Sequence, residues 1–256
     1  MSAERLVKDW RKLISANCEL PPNPQPWGNQ ASPQSPPILG DLGGSSPIAL
    51  SLICFHLAQQ RSIVPPLPAA NLHDHVCESL EVLRERGLPI PQSWLHPLRL
   101  SDALTAALLD RLPVDAPIEL LAQVYELLQR PEQKQSQGSF YTPIAIADYI
   151  VSQSICLPRP RLLDPACGGG ILLLRAYAKL LEIHADCDRF SLLQCCIFGI
   201  DIDTQAVAIA QISLLLKAAE GCTGVSTRFP DLSQNICCGN AVIHPIAAIL
   251  KANSFD

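Results

Sequence analysis

Three consecutive glycines constrain the fold of this chain more than any other feature. They close the run Asp164-Pro165-Ala166-Cys167-Gly168-Gly169-Gly170. The residues before this turn, Arg161–Asp164, predict a buried strand, and the apolar residues after it, Ile171 to about Ile183, predict a helix. Strands of an α/β sheet bind ligands at their carboxyl ends, where glycine lets the backbone come close. The turn therefore indicates either a ligand site or a tight strand-to-helix connection without one.

The strand and helix pattern then repeats along the chain. Cys195–Ile200 predicts a second strand, after which Asp203 or Thr204 caps another helix that ends at Gly221. Asn235–Cys238 predicts a third strand. Strands that alternate with helices of this length predict a parallel sheet with helices on both faces. We therefore expect an α/β fold of Rossmann type.

The part of the chain before this pattern has a different character. Residues 1–116 form a mostly helical, proline-rich N-terminal region, and residues 117–256 form the α/β part. Pro21–Pro37 holds seven prolines and predicts a linker or irregular loop. Short helices are predicted at Leu50–Gln60 and His73–Arg86.

Two further helices are predicted before the first strand. The apolar positions of Pro117–Arg130 follow helical spacing, and Pro131 ends the run. After a polar loop, Thr142 and Pro143 are suited to the N-cap and first position of the next helix.

Composition limits where the protein works. Of its 256 residues 48% are hydrophobic, yet no uninterrupted apolar run reaches the roughly 18 residues that cross a bilayer. The first residues carry acidic side chains and an amphipathic pattern, Leu6, Trp10, Leu13 and Ile14, where a secretion signal would be smoothly apolar. We expect a cytoplasmic protein that does not span the membrane.

The cysteine spacing and the net charge bear on metal binding, disulfide bonding and nucleic-acid binding. The chain has 11 cysteines and none is spaced CxxC, so their spacing favours neither a zinc site nor a disulfide framework. We expect most of them to be small buried side chains in a reducing compartment, with no metal site. A net charge of −5 is unfavourable for strong nucleic-acid binding by this chain alone.

A second ligand signal stands at the end of the second predicted strand, in Gly199-Ile200-Asp201-Ile202-Asp203. An acid at this place can accept hydrogen bonds from both ribose hydroxyls of an adenosine-containing cofactor. We assign that role to Asp201 and the helix cap to Asp203. A dinucleotide fingerprint would need a third glycine where Leu173 stands, which makes a dehydrogenase remote.

Four motifs in order carry a family resemblance. Gly138-Ser139-Phe140-Tyr141-Thr142-Pro143, the glycine-rich turn, the Gly199–Asp203 run and Cys238-Gly239-Asn240-Ala241 resemble the successive motifs of N6-adenine-specific DNA methyltransferases of restriction-modification systems. The likeness is strongest to the large fused restriction and modification enzymes and their phage-defence relatives. It covers about residues 118–256 and includes the helix sequence ELLAQVYELL.

The resemblance implies a site for S-adenosyl-L-methionine. Tyr141, Thr142 and Pro143 would cover its methionine end, and Asp201 would bind the ribose. Asn240 would contact the adenine, its oxygen accepting from the exocyclic amine and its amide donating to a ring nitrogen. The amino acid portion would be held by Asp164, Ala166, Cys167, Gly168 and Gly170. Gly169 replaces a serine that is usual in this family, which would loosen the turn and remove one hydroxyl.

The family's catalytic motif has no complete match in this sequence. In these enzymes Asn or Asp, two prolines and an aromatic residue accept the hydrogens of the flipped-out adenine amine and stack on the base. The only partial match is Ser35-Pro36-Pro37-Ile38, which lacks the aromatic residue. No catalytic residue is therefore assigned. Since Phe255-Asp256 resembles the opening of the catalytic strand, we expect a truncated product or one half of a split enzyme.

The resemblance also sets the expected partners. DNA would be reached through missing downstream domains or a second chain that carries the catalytic motif. This chain would be the cofactor-binding portion of the methyltransferase and inactive alone. Two alternatives stay open: a non-catalytic cofactor-binding or partner subunit, and a fragment of an RNA methyltransferase.

Overall fold

Helices dominate the structure, with a small sheet near the end of the chain. The computed structural model describes residues 1–17, 45–95, 99–129, 142–155, 160–221, 228–243 and 246. These residues form the helices α1 (Ala3–Asn17), α2 (Ser45–Gln60), α3 (Leu72–Glu85), α4 (Gln92–Leu95), α5 (Asp102–Leu109), α6 (Leu120–Leu128), α7 (Ile144–Ser154), α8 (Ile171–Ile183), α9 (Arg189–Cys196) and α10 (Thr204–Ala218), and the strands β1 (Leu162–Asp164), β2 (Ile197–Asp201) and β3 (Ile236–Cys238).

The first five helices confirm the predicted helical character before residue 117. In α1 the amphipathic pattern buries Leu6, Trp10 and Ile14 against the core. The indole Nε1 of Trp10 donates a hydrogen bond to the carbonyl of Leu108 over 2.9 Å, which joins α1 to α5. The two predicted helices of this region correspond to α2, which starts earlier than expected, and to α3. The boundary between residues 116 and 117 stays a prediction.

The two helices before the sheet begin later than predicted. α6 begins at Leu120 and ends at Leu128, inside the predicted range. α7 begins one residue later than expected, so the assignment of Thr142 as N-cap is wrong. Pro143 is the N-cap, with an extended ψ of 140°, and its carbonyl accepts from the N–H of Ala147. The fixed φ of proline suits this entry as well as the first helical turn.

The sheet is parallel and has the order β1-β2-β3. Asp164 lies opposite Gly199, and Asp201 lies opposite Cys238. The carboxyl ends of the strands therefore meet at one edge, together with the loops that follow them. The first strand is half-buried rather than buried and begins at Leu162.

The described helices that connect the strands lie on one face of the sheet. Leu173 of α8 lies against Gly199, and Gln211 of α10 donates a hydrogen bond to the carbonyl of Ile236. The expectation of helices on both faces is not met by the described residues. Connections between parallel strands are almost always right-handed. Because both connections here step in the same direction along the sheet, from β1 to β2 and from β2 to β3, their helices lie on the same face. Phe198 and Ile200 point to the other face, where Ala241 and Ile246 pack.

The second predicted strand started too early. Cys195 and Cys196 end α9, and β2 begins at Ile197. Of the eight cysteines in the described residues only half are buried, namely Cys54, Cys167, Cys196 and Cys237. The expectation that most are buried is therefore not met in this part of the chain.

The N-terminal helices and the sheet share one core, which runs from Leu6 to Ile236. An ion pair of 2.7 Å between Arg61 and Glu220 joins the end of α2 to the end of α10. Burial alone would raise the pKa of Glu220, but hydrogen bonds and charges from Lys217 and Arg61 outweigh it, so the pKa is lowered. The two halves therefore stabilise each other.

Several predicted features lie outside the described residues. They are the loop Pro21–Pro37 with Ser35-Pro36-Pro37-Ile38, Tyr141 with the residues just before it, and the final pair Phe255-Asp256. Among the described helices none combines the length and apolar character that crossing a bilayer requires.

Candidate functional site

A cleft of about 420 Å³ opens at the carboxyl edge of the sheet. The loops after the three strands line it, and α6 forms a further wall. Gly170 and Pro143 are not among its lining residues; they are the N-caps of α8 and α7. The structure brings together most of the predicted site, and the predicted residues that line the cleft are Thr142, Asp164, Ala166, Cys167, Gly168, Asp201 and Asn240.

The glycine-rich turn depends on backbone conformations that other residues rarely adopt. Gly168 has φ +52° and Gly170 has φ +86°. A Cβ on Gly170 would also lie 2.8 Å from the Cβ of Ala210. Glycine is therefore required at position 170 both for its conformation and for the close approach of α10.

Gly169 is required for a different reason. Its φ is ordinary, but a Cβ built on it would lie 2.7 Å from the Cβ of Ala122 and 3.1 Å from its Cα. Ala122 belongs to α6 and is fully buried. The absence of a side chain at position 169 thus lets α6 pack against the turn. The expected loosening of the turn is opposed by this contact.

Asp201 holds the glycine-rich turn to β2. Its Oδ2 accepts from the backbone N–H of Gly168 over 2.8 Å, and its Oδ1 accepts from the N–H of Asp203 over 2.9 Å. A carboxylate oxygen has two lone pairs, so each oxygen can still accept a hydroxyl hydrogen. The side chain is therefore fixed in place and able to bind a diol.

Asp164 lies beside it at the end of β1. Its Oδ1 accepts from the N–H of Ala166 over 3.1 Å. Burial raises the pKa of Asp164, the Ala166 hydrogen bond opposes this, and the nearby charge of Asp201 adds to the rise. Burial also raises the pKa of the Cys167 thiol well above its ordinary value, with further contributions from Asp164 and Asp201. Cys167 is therefore a neutral packing residue in the wall of the cleft.

Asp203 confirms its predicted role as a cap and has a second role. Its Oδ1 accepts from the N–H of Gln205 over 2.8 Å at the start of α10. Its Oδ2 accepts from the hydroxyl of Tyr125 and, over 3.4 Å, from the side-chain amide of Gln129. Burial, then the hydrogen bond to Asp203, raises the pKa of Tyr125. Tyr125 therefore remains a neutral donor that ties α6 to the sheet edge.

Asn240 is engaged in its own turn. Its Oδ1 accepts from the backbone N–H groups of Val242, over 3.0 Å, and Ile243, over 3.2 Å. The oxygen was expected to accept from an adenine amine, and this turn competes for it. Within the described residues the Nδ2 amide makes no hydrogen bond. The amide is thus able to donate to a ligand in the cleft.

The charge of the cleft is one-sided. Four carboxylates line it, on Glu126, Asp164, Asp201 and Asp203, and no Lys, Arg or His does so within the described part of the chain. Such a cleft attracts cations and repels phosphate groups. Ile202, which is 50% exposed, adds an apolar surface at its rim.

Sequence reasoning missed the contribution of α6. Tyr125, Glu126 and Gln129 line the cleft, although this helix was predicted from its apolar spacing and quoted for the resemblance without any role at the site. The available signal was Glu126, an acidic residue in a mostly apolar helix, with Gln129 three positions after it at the C-cap.

Comparisons with known proteins identify a matching family and similar sequences. Residues 116–228 match the family described as N-6 DNA Methylase. The type I restriction enzyme MjaIX methylase subunit of Methanocaldococcus jannaschii is 30% identical over 94 residues, which are 37% of this chain and 16% of that protein. A putative type II restriction enzyme and methyltransferase of the same organism is 29% identical over 117 residues, covering 39% of this chain and 10% of that protein.

A solved structure shares the fold. A chain from the structure of the type IIL restriction-modification enzyme MmeI in complex with DNA gives a TM-score of 0.54 at 15% identity, over 95% of this chain and 41% of that chain. The matched segment spans only a small part of the curated relatives, 16% and 10% of their lengths. The predicted resemblance is confirmed: over these residues the chain is similar to the adenine methyltransferases of restriction-modification systems.

Proposed function

We propose that this chain binds S-adenosyl-L-methionine in the cleft at the carboxyl ends of β1, β2 and β3. The observation that carries the proposal is the set of four carboxylates, Glu126, Asp164, Asp201 and Asp203, with no basic side chain among the described lining residues. This cofactor has a net positive charge because its sulfonium adds to a zwitterionic amino acid. Nucleoside triphosphates and dinucleotides carry phosphates that the same cleft would repel.

The order of the strands supports a direction for the cofactor. Asn240 follows β3, Asp201 ends the central strand β2, and Asp164 ends β1. With the ribose hydroxyls on Asp201, the adenine lies toward Asn240 and Ile202, and the methionine portion lies toward Asp164 and the glycine-rich turn. By resemblance Tyr141, Thr142 and Pro143 cover that end. The first turn of α8 supplies amide donors for the cofactor's carboxylate.

The reaction we propose is methylation of the exocyclic amine of adenine in DNA, within a restriction-modification or phage-defence system. The bound cofactor supplies the methyl group, and this chain orients it. The delocalised lone pair of that amine needs hydrogen-bond acceptors beside it to become nucleophilic. The sequence contains no Asn or Asp followed by two prolines and an aromatic residue. We therefore propose that residues 117–256 act as a Rossmann-like cofactor-binding part, with a separate segment or chain engaging DNA and the target base.

Calorimetric titration with S-adenosylmethionine tests whether the chain binds the cofactor. The best variant is Asp201→Asn, since it removes the charge but keeps one oxygen for the Gly168 N–H. Its loss of affinity should be about tenfold or more, because a hydrogen bond to a charged group contributes about 1.5–3 kcal/mol. Asp186→Asn makes the same change at an exposed residue outside the cleft and should bind like the wild type.

Two results would count against the proposal. One is a wild-type protein that is folded by circular dichroism but takes up no S-adenosylmethionine. The other is binding of ATP or NAD with an affinity equal to that for S-adenosylmethionine, since the charge argument forbids it. Adenine methylation of duplex DNA by the purified chain, followed with radiolabelled cofactor, would contradict the assignment of the target-base step to a separate segment.

A further inference from the structure

Helix α6 presents one carboxylate to the cleft that no motif of the sequence assigns. Glu126 lines the cleft, and its Oε2 is shielded from solvent. Its Oε1 lies 3.9 Å from the position that a Cβ would take on Gly168. Glu126 therefore faces the glycine-rich turn.

The helix that carries Glu126 is held in place by contacts of its other residues. The hydroxyl of Tyr125 donates to Asp203, and Ala122 packs directly against Gly169. At the other end of the helix, Glu119 forms a 3.1 Å ion pair with Arg175 of α8. These contacts hold α6 against the turn and the start of α10, so Glu126 does not depend on a flexible loop for its place.

The strand order assigns Glu126 to one end of the ligand. Gly168 belongs to the loop that follows β1, on the opposite side of Asp201 from Asn240. A cofactor whose ribose is on Asp201 and whose adenine is toward Asn240 must direct its amino acid portion toward this loop. Glu126 thus faces the end that carries an ammonium and a carboxylate.

We propose that Glu126 binds the ammonium group of the S-adenosylmethionine amino acid portion and so determines specificity for the complete cofactor. This inference rests on the proposed function, because it assumes that the cleft binds this molecule. The ammonium has N–H groups to donate to a carboxylate, whereas the sulfonium has none and must leave its methyl open to the target base. The carboxylate of the cofactor takes the amide donors of the α8 first turn, which leaves the ammonium for an acid.

The test compares three ligands by calorimetry on the full chain. S-adenosylmethionine and S-adenosylhomocysteine share the ammonium, and 5′-methylthioadenosine lacks the whole amino acid portion. Glu126→Gln should weaken the first two by about tenfold to a hundredfold, since a charge-assisted hydrogen bond is worth about 1.5–3 kcal/mol. It should leave the affinity for 5′-methylthioadenosine unchanged.

Two further variants separate charge from structure. Glu126→Asp keeps the negative charge but on a shorter side chain. Its preference for S-adenosylhomocysteine over 5′-methylthioadenosine should therefore be weaker than that of the wild type and stronger than that of Glu126→Gln. Glu182→Gln makes the same chemical change on an exposed part of α8 and should match the wild type for all three ligands. Thermal unfolding checks that every variant is folded.

Each contrary outcome has a distinct meaning. Equal weakening of all three ligands would show a structural role and overturn the inference. Weakening of S-adenosylmethionine alone would point to the sulfonium and overturn it as well. Unchanged binding by Glu126→Gln would overturn the role of Glu126 while cofactor binding stands. A wild type that binds none of the ligands would defeat the proposed function itself, and this inference with it.

Discussion

Substitution of Gly170 by alanine should destabilise the protein for two separable reasons. At φ +86° an alanine has a left-handed conformation, which costs about 1–2 kcal/mol. Its Cβ would also meet the Cβ of Ala210 at 2.8 Å and the Cα at 3.1 Å. Forcing an extra carbon into a packed core costs about 1–3 kcal/mol. The expected loss in the free energy of unfolding is therefore about 2–5 kcal/mol.

The chain contains a matched control for the conformational part. Gly221 has φ +85°, almost the same as Gly170, but no atom of the described residues lies within 4 Å of the position of its Cβ. Gly221→Ala should therefore cost only the conformational part, about 1–2 kcal/mol. The difference between the two variants, about 1–3 kcal/mol, measures the contact between the turn and α10.

Equilibrium unfolding in urea, followed by circular dichroism, gives both free energies. Equal losses in the two variants would refute the packing argument, since the contact with Ala210 would then contribute nothing. A loss below about 1 kcal/mol for Gly221→Ala would refute the conformational argument. Because Gly170 starts the helix whose first turn faces the cleft, Gly170→Ala should also weaken S-adenosylmethionine binding, and Gly221→Ala should not.

Three other changes test the site and its support. Tyr125→Phe removes the donor to Asp203 and should lower the free energy of unfolding by about 1.5–3 kcal/mol in urea titrations; a change below about 0.5 kcal/mol would show that this contact is unimportant. Cofactor affinity should fall as the pH drops through the raised pKa of Asp164, because only the carboxylate attracts a cation, and Asp164→Asn should abolish this step in calorimetry at several pH values. Glu220→Gln should cost about 1 kcal/mol at neutral pH by loss of the pair with Arg61. Since the pKa of Glu220 is lowered, that difference should be complete above its ordinary value and vanish as the pH falls through the lowered one; a difference that persists in acid would contradict the assignment.

The first strand-to-helix turn and the shared carboxyl edge of the sheet were predictable from local sequence. The helix α8 has the predicted bounds, since a glycine in the left-handed conformation starts it and a long apolar run continues it. Asp164 and Asp201 reach the same edge because parallel strands align their carboxyl ends. The helix α9 was missed because it has only eight residues and leads directly into a strand. Its signal was Asp188, which accepts from the N–H of Ser191 as a cap.

The α6 wall of the cleft was not predictable in the same way. Tyr125 meets Asp203 across 78 positions of sequence, and only tertiary packing brings them together. Periodicity marks Tyr125 as a core residue, which is correct for its ring but does not reveal the hydrogen bond of its hydroxyl. The placement of both connecting helices on one face of the sheet likewise depends on the order of the strands. The alternation of strands and helices in the sequence does not determine that order.

The close approach of Ala122 to Gly169 restricts how such a chain can change over evolutionary time. A serine at position 169, as is usual in the family, would place its Cβ 2.7 Å from that of Ala122, so Gly169→Ser alone should be selected against. Once Ala122 has become glycine, the shortest contact is removed, and the serine then requires only a small shift away from the remaining Cα at 3.1 Å. The two positions are thus epistatic, and lineages should exchange them in a fixed order, with the helix residue losing its methyl before the turn gains its hydroxyl.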